Sequence, residues 1–353
     1  MIALINNEPD YSGIGKYSCN LYGKLKTVID CKYYYLNINT KKVTVFNGYN
    51  KKQIAINKPF SGFQTLFWHY CRECIKEEKT KHIMNQNLSL LQTNTSTIVT
   101  CMDLIPIIQP RNYYDYLVRR LWYSGLRKAK HIIAISENTK KELINTLNIC
   151  ASNITVIPLG VNINSDSVIG TIDLPVDAVV ILNIASNQER KNFKAVINIF
   201  WEITKTIKNS YLVKIGTITH NDKIIIDKYN LNNRVIILPN VAESEINYWY
   251  KRASLFLFPS KYEGFGLPII EAMANGCPVI ASNTTAIPEV TGAAAILIKP
   301  EDENNFVSAS LEILNNKQMR EDLIYKGLER AKLFSWDLCA QRTIAVYKKT
   351  GLL

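Results

Sequence analysis

Residues 259–282 read PSKYEGFGLPIIEAMANGCPVIAS, and this stretch decides the fold. The apolar run SLFLFPS (254–260) predicts a buried strand that leads into a glycine-rich bend. A helix with Pro268 in its first turn should follow and end at Gly276, before the strand CPVIAS (277–282). A strand, a bend, a helix and a further strand in this order are typical of a doubly wound α/β domain.

The same alternation of short apolar runs and helical patterns occurs in two rounds. In the first round, the predicted strands include MIALIN, TIVTCMDLIP (97–106), which ends in a proline-bounded loop, and HIIAIS, and residues 31–60 are rich in strand-forming residues. In the second round they include AVVILNIAS, LVKIG, VIILPN and AAILIKP. The polar segment 162–178 interrupts the pattern and predicts a linker. We therefore expect two domains with parallel sheets, residues 1–165 and 166–335.

The composition indicates a globular protein. The chain has 353 residues, of which 47% are hydrophobic and 20% charged. No apolar run is long enough to span a bilayer, and the opening MIALINNEPDYSG lacks the features of a secretory signal. Of the eight cysteines, only Cys71 and Cys74 form a CxxC pair, and no second pair completes a zinc pattern. We therefore expect a cytoplasmic protein with reduced thiols and no metal site.

The positive charge lies almost entirely in the first half. Residues 1–165 hold 21 Lys and Arg against 10 Asp and Glu, whereas the remaining residues hold 21 against 20. Such an excess indicates an anionic partner (a membrane, an acceptor or a nucleic acid) or simply a solvated basic surface. Because no nucleic-acid-binding motif is present, we do not expect a nucleic-acid partner.

One predicted helix concentrates this basic charge. Residues 111–130 place five cations beside four aromatic rings: Arg119, Arg120, Arg127, Lys128 and Lys130 beside Tyr113, Tyr114, Trp122 and Tyr123. This composition suits peripheral contact with an anionic membrane that carries a lipid-linked acceptor. A helix with a basic outer face and an aromatic core face has the same composition.

Three loops at predicted strand ends carry residues suited to an anionic ligand. SGIGKY (12–17) has the glycines of a tight strand-to-helix turn, whether or not a phosphate lies there. NQERKN (187–192) places Arg190 and Lys191 before a helix, where both can bind a diphosphate. EGFGLP offers backbone N–H groups at a helix start, with Glu263 in the loop and Glu271 in the helix. Carboxylates there can accept hydrogen bonds from sugar hydroxyls.

Together these loops resemble glycosyltransferase family 4, over nearly the whole length of the chain. EGFGLPIIE resembles the family's E-x7-E motif, NQERKN its donor-phosphate motif, and ITVIPLGVN its interdomain strand and loop. The resemblance implies the GT-B fold, in which two Rossmann-like domains face each other across a cleft. FSWDLCAQRTIAVYKK (334–349) resembles the C-terminal helix that crosses back, so that residues 336–353 would return to the N-terminal domain.

The resemblance also implies roles for individual residues. Arg190 and Lys191 would bind the donor diphosphate, Glu271 the ribose, and Glu263 would lie near the transferred sugar. The remaining donor-binding residues would be Gly264, Phe265, Gly266, Leu267, Gly216 and Asn240, and Gly13 and Gly15 would line the cleft on the acceptor side. The substrate would be a UDP- or GDP-linked sugar, and the enzyme would need no cofactor or metal ion.

Two positions depart from the family pattern. Met102 stands where many members carry a histidine, and a thioether can neither donate a hydrogen bond nor move a proton. The adjacent Asp103 is left as a polar candidate for the site, or as a residue that only caps its loop. Ala185 replaces a glycine that often precedes the phosphate motif, and its methyl group could narrow the approach to the phosphate.

The resemblance to glycosyltransferase family 4 implies a retaining glycosyltransferase. It would move a hexose by front-face substitution to a glycan, a lipid-linked molecule or another hydroxyl acceptor, with the departing phosphate as the base. The alternative is a non-catalytic protein that binds nucleotide sugars or glycans on the same scaffold, which Met102 favours and the intact charged loops oppose.

Overall fold

A computed structural model of the chain shows two compact units. It describes residues 1–37, 40, 42–47, 50–55, 71–91, 96–162, 172 and 174–353. The first unit comprises Met1–Gly160 together with Trp336–Leu353, and the second comprises Val161–Ser335. The boundary between the units therefore follows Gly160, whereas the sequence analysis placed it after residue 165. Most of the predicted linker (163–171 and 173) and the end of the strand-rich segment (56–60) lie outside the described residues.

The first unit contains an eight-stranded sheet within the described residues. Its strands are β1 (Ile2–Asn6), β2 (Cys31–Asn37), β3 (Lys42–Asn47), β4 (Asn50–Ala55), β5 (Lys81–Ile83), β6 (Thr97–Cys101), β7 (His131–Ala134) and β8 (Ile154–Val156). They lie in the order β4-β3-β2-β1-β5-β6-β7-β8. From β2 to β8 every neighbouring pair is parallel. The central strands are buried on both faces, which explains their continuous apolar sequences.

At the β4 edge the sheet departs from the parallel arrangement that we predicted. β2 with β3, and β3 with β4, pair antiparallel. Only residues 38–41 separate β2 from β3, and residues 48–49 separate β3 from β4. Parallel pairing needs a crossover of a dozen residues or more, so these short connections allow only antiparallel neighbours.

Besides the helical residues 71–75, four helices follow these strands in the described part of the first unit. They are α1 (Gly13–Leu25), α2 (Ile105–Ile108), α3 (Tyr113–Tyr123) and α4 (Glu137–Leu147). The predicted cap of α4 is present, because Ser136 Oγ accepts a hydrogen bond from Thr139 N at 3.0 Å. The helix predicted over 111–130 ends earlier, at Tyr123, and continues as a 3₁₀ turn. Within the described residues no helix has both the length and the apolar character that a bilayer span requires.

The second unit is built on a six-stranded sheet in which every pair is parallel. The strands are β9 (Val179–Ile184), β10 (Ser210–Ile215), β11 (Val235–Leu238), β12 (Leu255–Phe258), β13 (Val279–Ser282) and β14 (Ile296–Ile298). The helices are α5 (Phe193–Thr206), α6 (His220–Lys228), α7 (Glu243–Arg252), α8 (Leu267–Ala274), α9 (Ile287–Thr291), α10 (Glu303–Asn315) and α11 (Lys317–Ala331). The sheet order is β11-β10-β9-β12-β13-β14.

Four of these helices, the short α9 and the longer α6, α10 and α11, were not predicted from the sequence. The sequences of α6 and α11 are polar over much of their length, so the apolar stripe that marks an amphipathic helix is weak in both. Capping helps to fix their starts. At α6, Thr219 Oγ1 accepts from Asp222 N at 3.1 Å, while the Asp222 carboxylate accepts from Thr219 N at 2.8 Å.

The C-terminal helix α12 (Trp336–Lys349) belongs to the first unit, as the resemblance implied. The Trp336 ring lies 6.4 Å from that of Tyr17 in α1, and Lys24 Nζ lies 2.9 Å from the Asp337 carboxylate. The exposed ion pair adds little to stability, so the buried contacts carry the attachment.

A buried hydrogen-bond chain strengthens this attachment. Tyr347 of α12 bonds through its hydroxyl to His82 Nδ1 at 2.6 Å, and His82 Nε2 lies 2.7 Å from Thr100 Oγ1. Thr100 in turn bonds to the Tyr17 hydroxyl at 2.8 Å. All four residues are almost fully buried. Because both nitrogens of His82 are engaged away from water, burial lowers its pKa to about 3.

This histidine should make the fold sensitive to acid. Unfolded His82 takes up a proton near pH 6.5, whereas the folded chain resists protonation down to about pH 3. The unfolded state therefore binds more protons in this window, and lowering the pH from 7 to 5 should reduce the free energy of unfolding by about 2 kcal/mol through His82. His82→Gln should remove that contribution in urea unfolding followed by circular dichroism. His220→Gln, at an exposed position, should retain it; equal pH dependence in both variants would contradict this account.

Candidate active site

The site lies where the strand order of the second sheet reverses. β9 is the first strand of the unit in chain order, and its neighbours are β10 on one side and β12 on the other. The chain leaves β10 and β12 in opposite directions across the sheet, which creates a crevice at the carboxyl ends of β9 and β12. Pairing of β9 with β12 ends at Leu182, whereas pairing with β10 continues to Ile184. The two strands therefore part where a ligand can enter.

The loops that leave these two strands are joined again by hydrogen bonds. Lys261 N donates to Arg190 O at 2.7 Å, and the Arg190 guanidinium donates to Tyr262 O at 2.9 Å. Asn192 Nδ2 donates to Pro259 O at 3.1 Å. The two predicted motifs, NQERKN and EGFGLP, thus form one connected surface in the second unit.

Glu263 is the centre of this surface. Its carboxylate lies 2.6 Å from Lys191 Nζ through Oε1 and 3.5 Å from Arg190 Nη1 through Oε2. The Glu263 side chain is 8% exposed, and those of Lys191 and Arg190 are 12% and 21% exposed. The structure therefore brings together three of the charged residues that the sequence analysis selected. Two cations and one carboxylate leave a net charge of +1, which suits an incoming anion.

The backbone of Glu263 is hydrogen-bonded to a residue that belongs to neither NQERKN nor EGFGLP. Its N–H donates to Thr285 Oγ1 at 3.0 Å. Thr285 has a φ of 49°, which a β-branched residue adopts only when the surrounding structure enforces it. Sequence reasoning missed this residue, because nothing in the segment SNTTAIPE marks such a contact.

The glycine-rich bend leads directly into α8. Gly264 and Phe265 are buried, and Gly266 is the N-cap residue with a φ of 97°, a conformation that glycine adopts without strain. Leu267 begins the helix and Pro268 follows in its first turn, as predicted. No side chain caps this helix start, so its N–H groups and partial positive charge remain suited to an anion.

Glu271 lies on α8, half-buried, and is oriented by a residue that the sequence analysis missed. Tyr250 of α7 donates its hydroxyl hydrogen to Glu271 Oε2 at 3.0 Å. Burial and the neighbouring carboxylate raise the pKa of Tyr250 well above its ordinary value, so it remains a donor. One Glu271 oxygen is thus fixed in place, which orients the carboxylate for hydroxyl groups of a ligand.

Gly216 follows β10 and has a structural reason to be glycine. Its φ is 113°, and a Cβ atom there would lie 2.2 Å from the carbonyl oxygen of Ala185. Asn240, after β11, is exposed. Gly216 and Asn240 therefore lie at the carboxyl ends of adjacent strands, as expected for a wall of the nucleotide site.

The remaining predicted residues lie in the first unit, at the start of α1. Gly13 is exposed, and a Cβ atom there would meet no atom within 4 Å. Gly15 is buried, and a Cβ atom there would lie 1.7 Å from the carbonyl oxygen of Pro9. The space beside Gly15 is occupied by its own chain, so close packing accounts for this glycine and only Gly13 is open to a ligand.

The stretch after β6 contains Met102 and Asp103. Met102 is 4% exposed, and its N–H donates to the Gln86 side chain at 3.0 Å. Asp103 Oδ1 accepts a hydrogen bond from Ile105 N at 3.1 Å, which is the loop-capping role that the sequence analysis left open. Its side chain remains partly exposed.

The geometry of the second unit favours a diphosphate ligand. Arg190 and Lys191 can bind phosphate oxygens, the start of α8 adds N–H groups, and Glu263 and Glu271 can accept hydrogen bonds from hydroxyls. Among the described residues, no cluster of three or more His, Cys, Asp or Glu side chains is arranged to hold a metal ion.

The chain is similar in sequence to known glycosyltransferases. Residues 169–330 match the family described as Glycosyl transferases group 1, and residues 58–165 match Glycosyltransferase Family 4. The O-antigen chain mannosyltransferase B of Escherichia coli is 29% identical over 268 residues, which cover 71% of this chain and 68% of that protein. The serotype-specific mannosyltransferase WbdA of Escherichia coli is 25% identical over 266 residues, or 68% of this chain and 32% of that longer protein.

Among solved structures, the sucrose-phosphate synthase from Thermosynechococcus elongatus superposes with a TM-score of 0.81 at 21% identity. The alignment covers 99% of this chain and 98% of that one. At this identity the likeness concerns the fold alone, which is GT-B.

Gly216→Ala should disturb the site through the backbone. The new Cβ atom would strain a positive φ and press against Ala185 O, so we expect a loss of stability of more than about 2 kcal/mol. Gly23→Ala is the matched control, because Gly23 lies inside α1 with no atom near its Cβ position. That change should add about 0.5–1 kcal/mol. Urea unfolding of both variants measures the contrast, and a Gly216→Ala protein as stable as the wild type would contradict it.

Proposed function

Since the chain belongs to glycosyltransferase family 4, we propose that it transfers a hexose from a UDP- or GDP-linked sugar to a hydroxyl acceptor with retention of configuration. The observation that supports this most directly is the buried carboxylate of Glu263 between Lys191 and Arg190, at the point where β9 and β12 part. A diphosphate bound there meets two cations and a helix start, which together stabilise the charge that develops as it leaves.

The proposed chemistry is a front-face substitution. The bond between the anomeric carbon and the phosphate oxygen breaks, and the acceptor oxygen bonds to the same face of that carbon. The acceptor proton passes to the departing phosphate, so no side-chain base is needed. Glu263 lies beside the transferred sugar and stabilises positive charge on it, while Glu271, oriented by Tyr250, binds the ribose.

For the transferred sugar we propose mannose, because both bacterial relatives described above are mannosyltransferases. Incubation with GDP-mannose, UDP-glucose, UDP-galactose and UDP-N-acetylglucosamine tests this assignment through the release of UDP or GDP. Release from GDP-mannose alone is expected. Binding of a nucleotide sugar without hydrolysis or transfer to any acceptor would instead support the non-catalytic alternative that Met102 suggests.

For the acceptor we propose a molecule carried on an anionic membrane, with the protein in the cytoplasm and peripheral to that membrane. Helix α3 presents an exposed apolar strip, formed by Tyr113, Tyr114, Leu117 and Leu121. The two tyrosines are 75% and 76% exposed and so lie outside the core. Arg120 on the same face is also exposed. Exposed aromatic and leucine side chains beside arginine suit the interfacial region of an anionic bilayer.

The charged residues of the site give the first test. Lys191→Ala and Glu263→Ala should each lower the rate of transfer by at least about 10²-fold, because each removes electrostatic stabilisation where charge develops. Lys261→Ala is the matched control: this lysine lies in the same loop, but its side chain is exposed. Circular dichroism should show that all three variants remain folded. Full activity of both site variants would overturn the proposed assignment of the site.

The strip on α3 gives the second test. Leu117→Glu with Leu121→Glu should reduce sedimentation with vesicles that contain anionic lipid, because two charges replace exposed apolar groups. Tyr325→Glu, at a 66% exposed position on α11, is the control and should bind as the wild type does. Unchanged vesicle binding by the double variant would contradict the proposal, and retention of the wild type on DNA rather than vesicles would assign the basic surface to nucleic acid.

A further inference from the structure

A lysine is buried in the second sheet at the base of the loop that carries Arg190 and Lys191, residues 185–192, which we call the phosphate loop. Lys214 lies on β10 with 0% exposure. Its Nζ donates to Ala185 O at 2.6 Å and to Asn183 Oδ1 at 2.9 Å, both on the adjacent chain segment that contains β9. Ala185 is the first residue after β9 and begins the loop that carries Arg190 and Lys191. The ammonium group therefore holds the base of that loop.

The same network reaches the loop on the other side of the crevice. Asn183 Nδ2 donates to Leu257 O at 2.9 Å, one residue beyond the last backbone pair between β9 and β12. Leu257 lies near the end of β12, which leads to Glu263. Lys214 and Asn183 thus connect three adjacent strands at the level where the β9–β12 ladder ends. The hydrogen bonds from side chains replace the backbone bonds that the parting strands lack.

Burying the Lys214 ammonium group in this way costs folding free energy, which indicates a functional reason. Within the part of the chain that the structure describes, Lys214 forms no ion pair with a carboxylate. Its immediate neighbours are the Phe193 ring of α5, with its centroid 4.8 Å from Nζ, and the apolar β11 strand, in which Ile237 is its register partner. A buried, unpaired ammonium group usually lowers stability.

We propose that Lys214 is a positioning residue for the donor diphosphate, one that holds the phosphate loop and takes up a proton when the diphosphate binds. This inference rests on the proposed function and adds a residue to it. Lys214 has no exposed surface, so it acts on the ligand through the Ala185 carbonyl and through its charge. Asn183, which it orients, transmits the same constraint to β12.

The surroundings of Lys214 favour a coupling between its protonation and the binding of a diphosphate. Burial and, to a smaller extent, the nearby charge of Lys191 together lower the pKa of Lys214 to about 7, against the opposite influence of Asp222 at the start of α6. Within the described part of the chain, Lys191 and Asp222 are the charged residues that act on this pKa, and Glu263 pairs with Lys191 beyond them. A bound diphosphate would offset the charge of Lys191 and so raise the pKa of Lys214. By linkage, protonation of Lys214 must then strengthen diphosphate binding by the same factor.

The test measures proton uptake when UDP or GDP binds. Calorimetry at pH 7.5 in buffers of different ionisation enthalpy gives the number of protons taken up per ligand. Wild-type protein should take up as much as about 0.7 proton more than Lys214→Met, because a group with a pKa of about 7 is mostly neutral at this pH. Ionisation of the ligand itself cancels in this difference. Lys214→Met should also bind at least about tenfold more weakly at pH 6.5 than the wild type, with a smaller ratio at pH 9.

Two further variants separate the outcomes. Lys214→Arg keeps a permanent charge, so it should bind more tightly than Lys214→Met but take up no extra proton. Lys81→Met removes a different fully buried lysine, on β5 of the first unit, and should behave as the wild type does in both measurements. Equal proton uptake and affinity for wild type and Lys214→Met would overturn the inference. Failure of the wild type to bind either diphosphate would instead overturn the proposed function on which it rests.

Discussion

The second unit is organised around the point where β9 and β12 separate. Neighbouring strands of a parallel sheet are joined by backbone hydrogen bonds. Between β9 and β12 this pairing ends at Leu182, although β9 itself continues to Ile184. Strand order reverses at this point, so the following loops diverge and leave a crevice. In the second unit, Arg190, Lys191 and Glu263 lie on these two loops, and Glu271 lies on the helix that follows. The positions of Lys191 and Glu263 therefore depend on this separation.

Two sets of polar contacts fix the positions of the two loops on either side of the crevice. Beyond the carboxyl ends of β9 and β12, hydrogen bonds of the Arg190 backbone and side chain and of the Asn192 side chain join the two loops that follow these strands. Within the sheet, the side chains of Lys214 and Asn183 connect β10, β9 and β12. Both sets bury charge, which costs stability, and both hold the carboxylate and the cations where a diphosphate would lie. Such local cost is expected where a fold carries function.

Much of the candidate site could be predicted because its residues belong to short continuous motifs. Arg190, Lys191, Glu263 and Glu271 each lie in a stretch whose neighbours already indicate a strand end, a bend and a helix start. Tyr250 and Thr285 could not be predicted, because their contacts join segments far apart in the chain. Lys214 left a signal, a charged residue inside the apolar strand LVKIG, but its partners on β9 appear only in the folded sheet. Gly15 gave a misleading signal, since close packing against Pro9 requires glycine as strictly as a ligand does.

The sequence by itself determined the alternation of strands and helices, the presence of two α/β units and the motifs at the strand ends, because these follow from local periodicity and turn chemistry. The resemblance to glycosyltransferase family 4 added the prediction of a C-terminal helix that returns to the first domain. Only the tertiary structure decided that β3 and β4 pair antiparallel at the edge, that Asp103 caps its loop and that Glu263 is held between two cations. The physical reason is that pairing, burial and charge contact depend on which distant segments become neighbours, and strand order sets those neighbours.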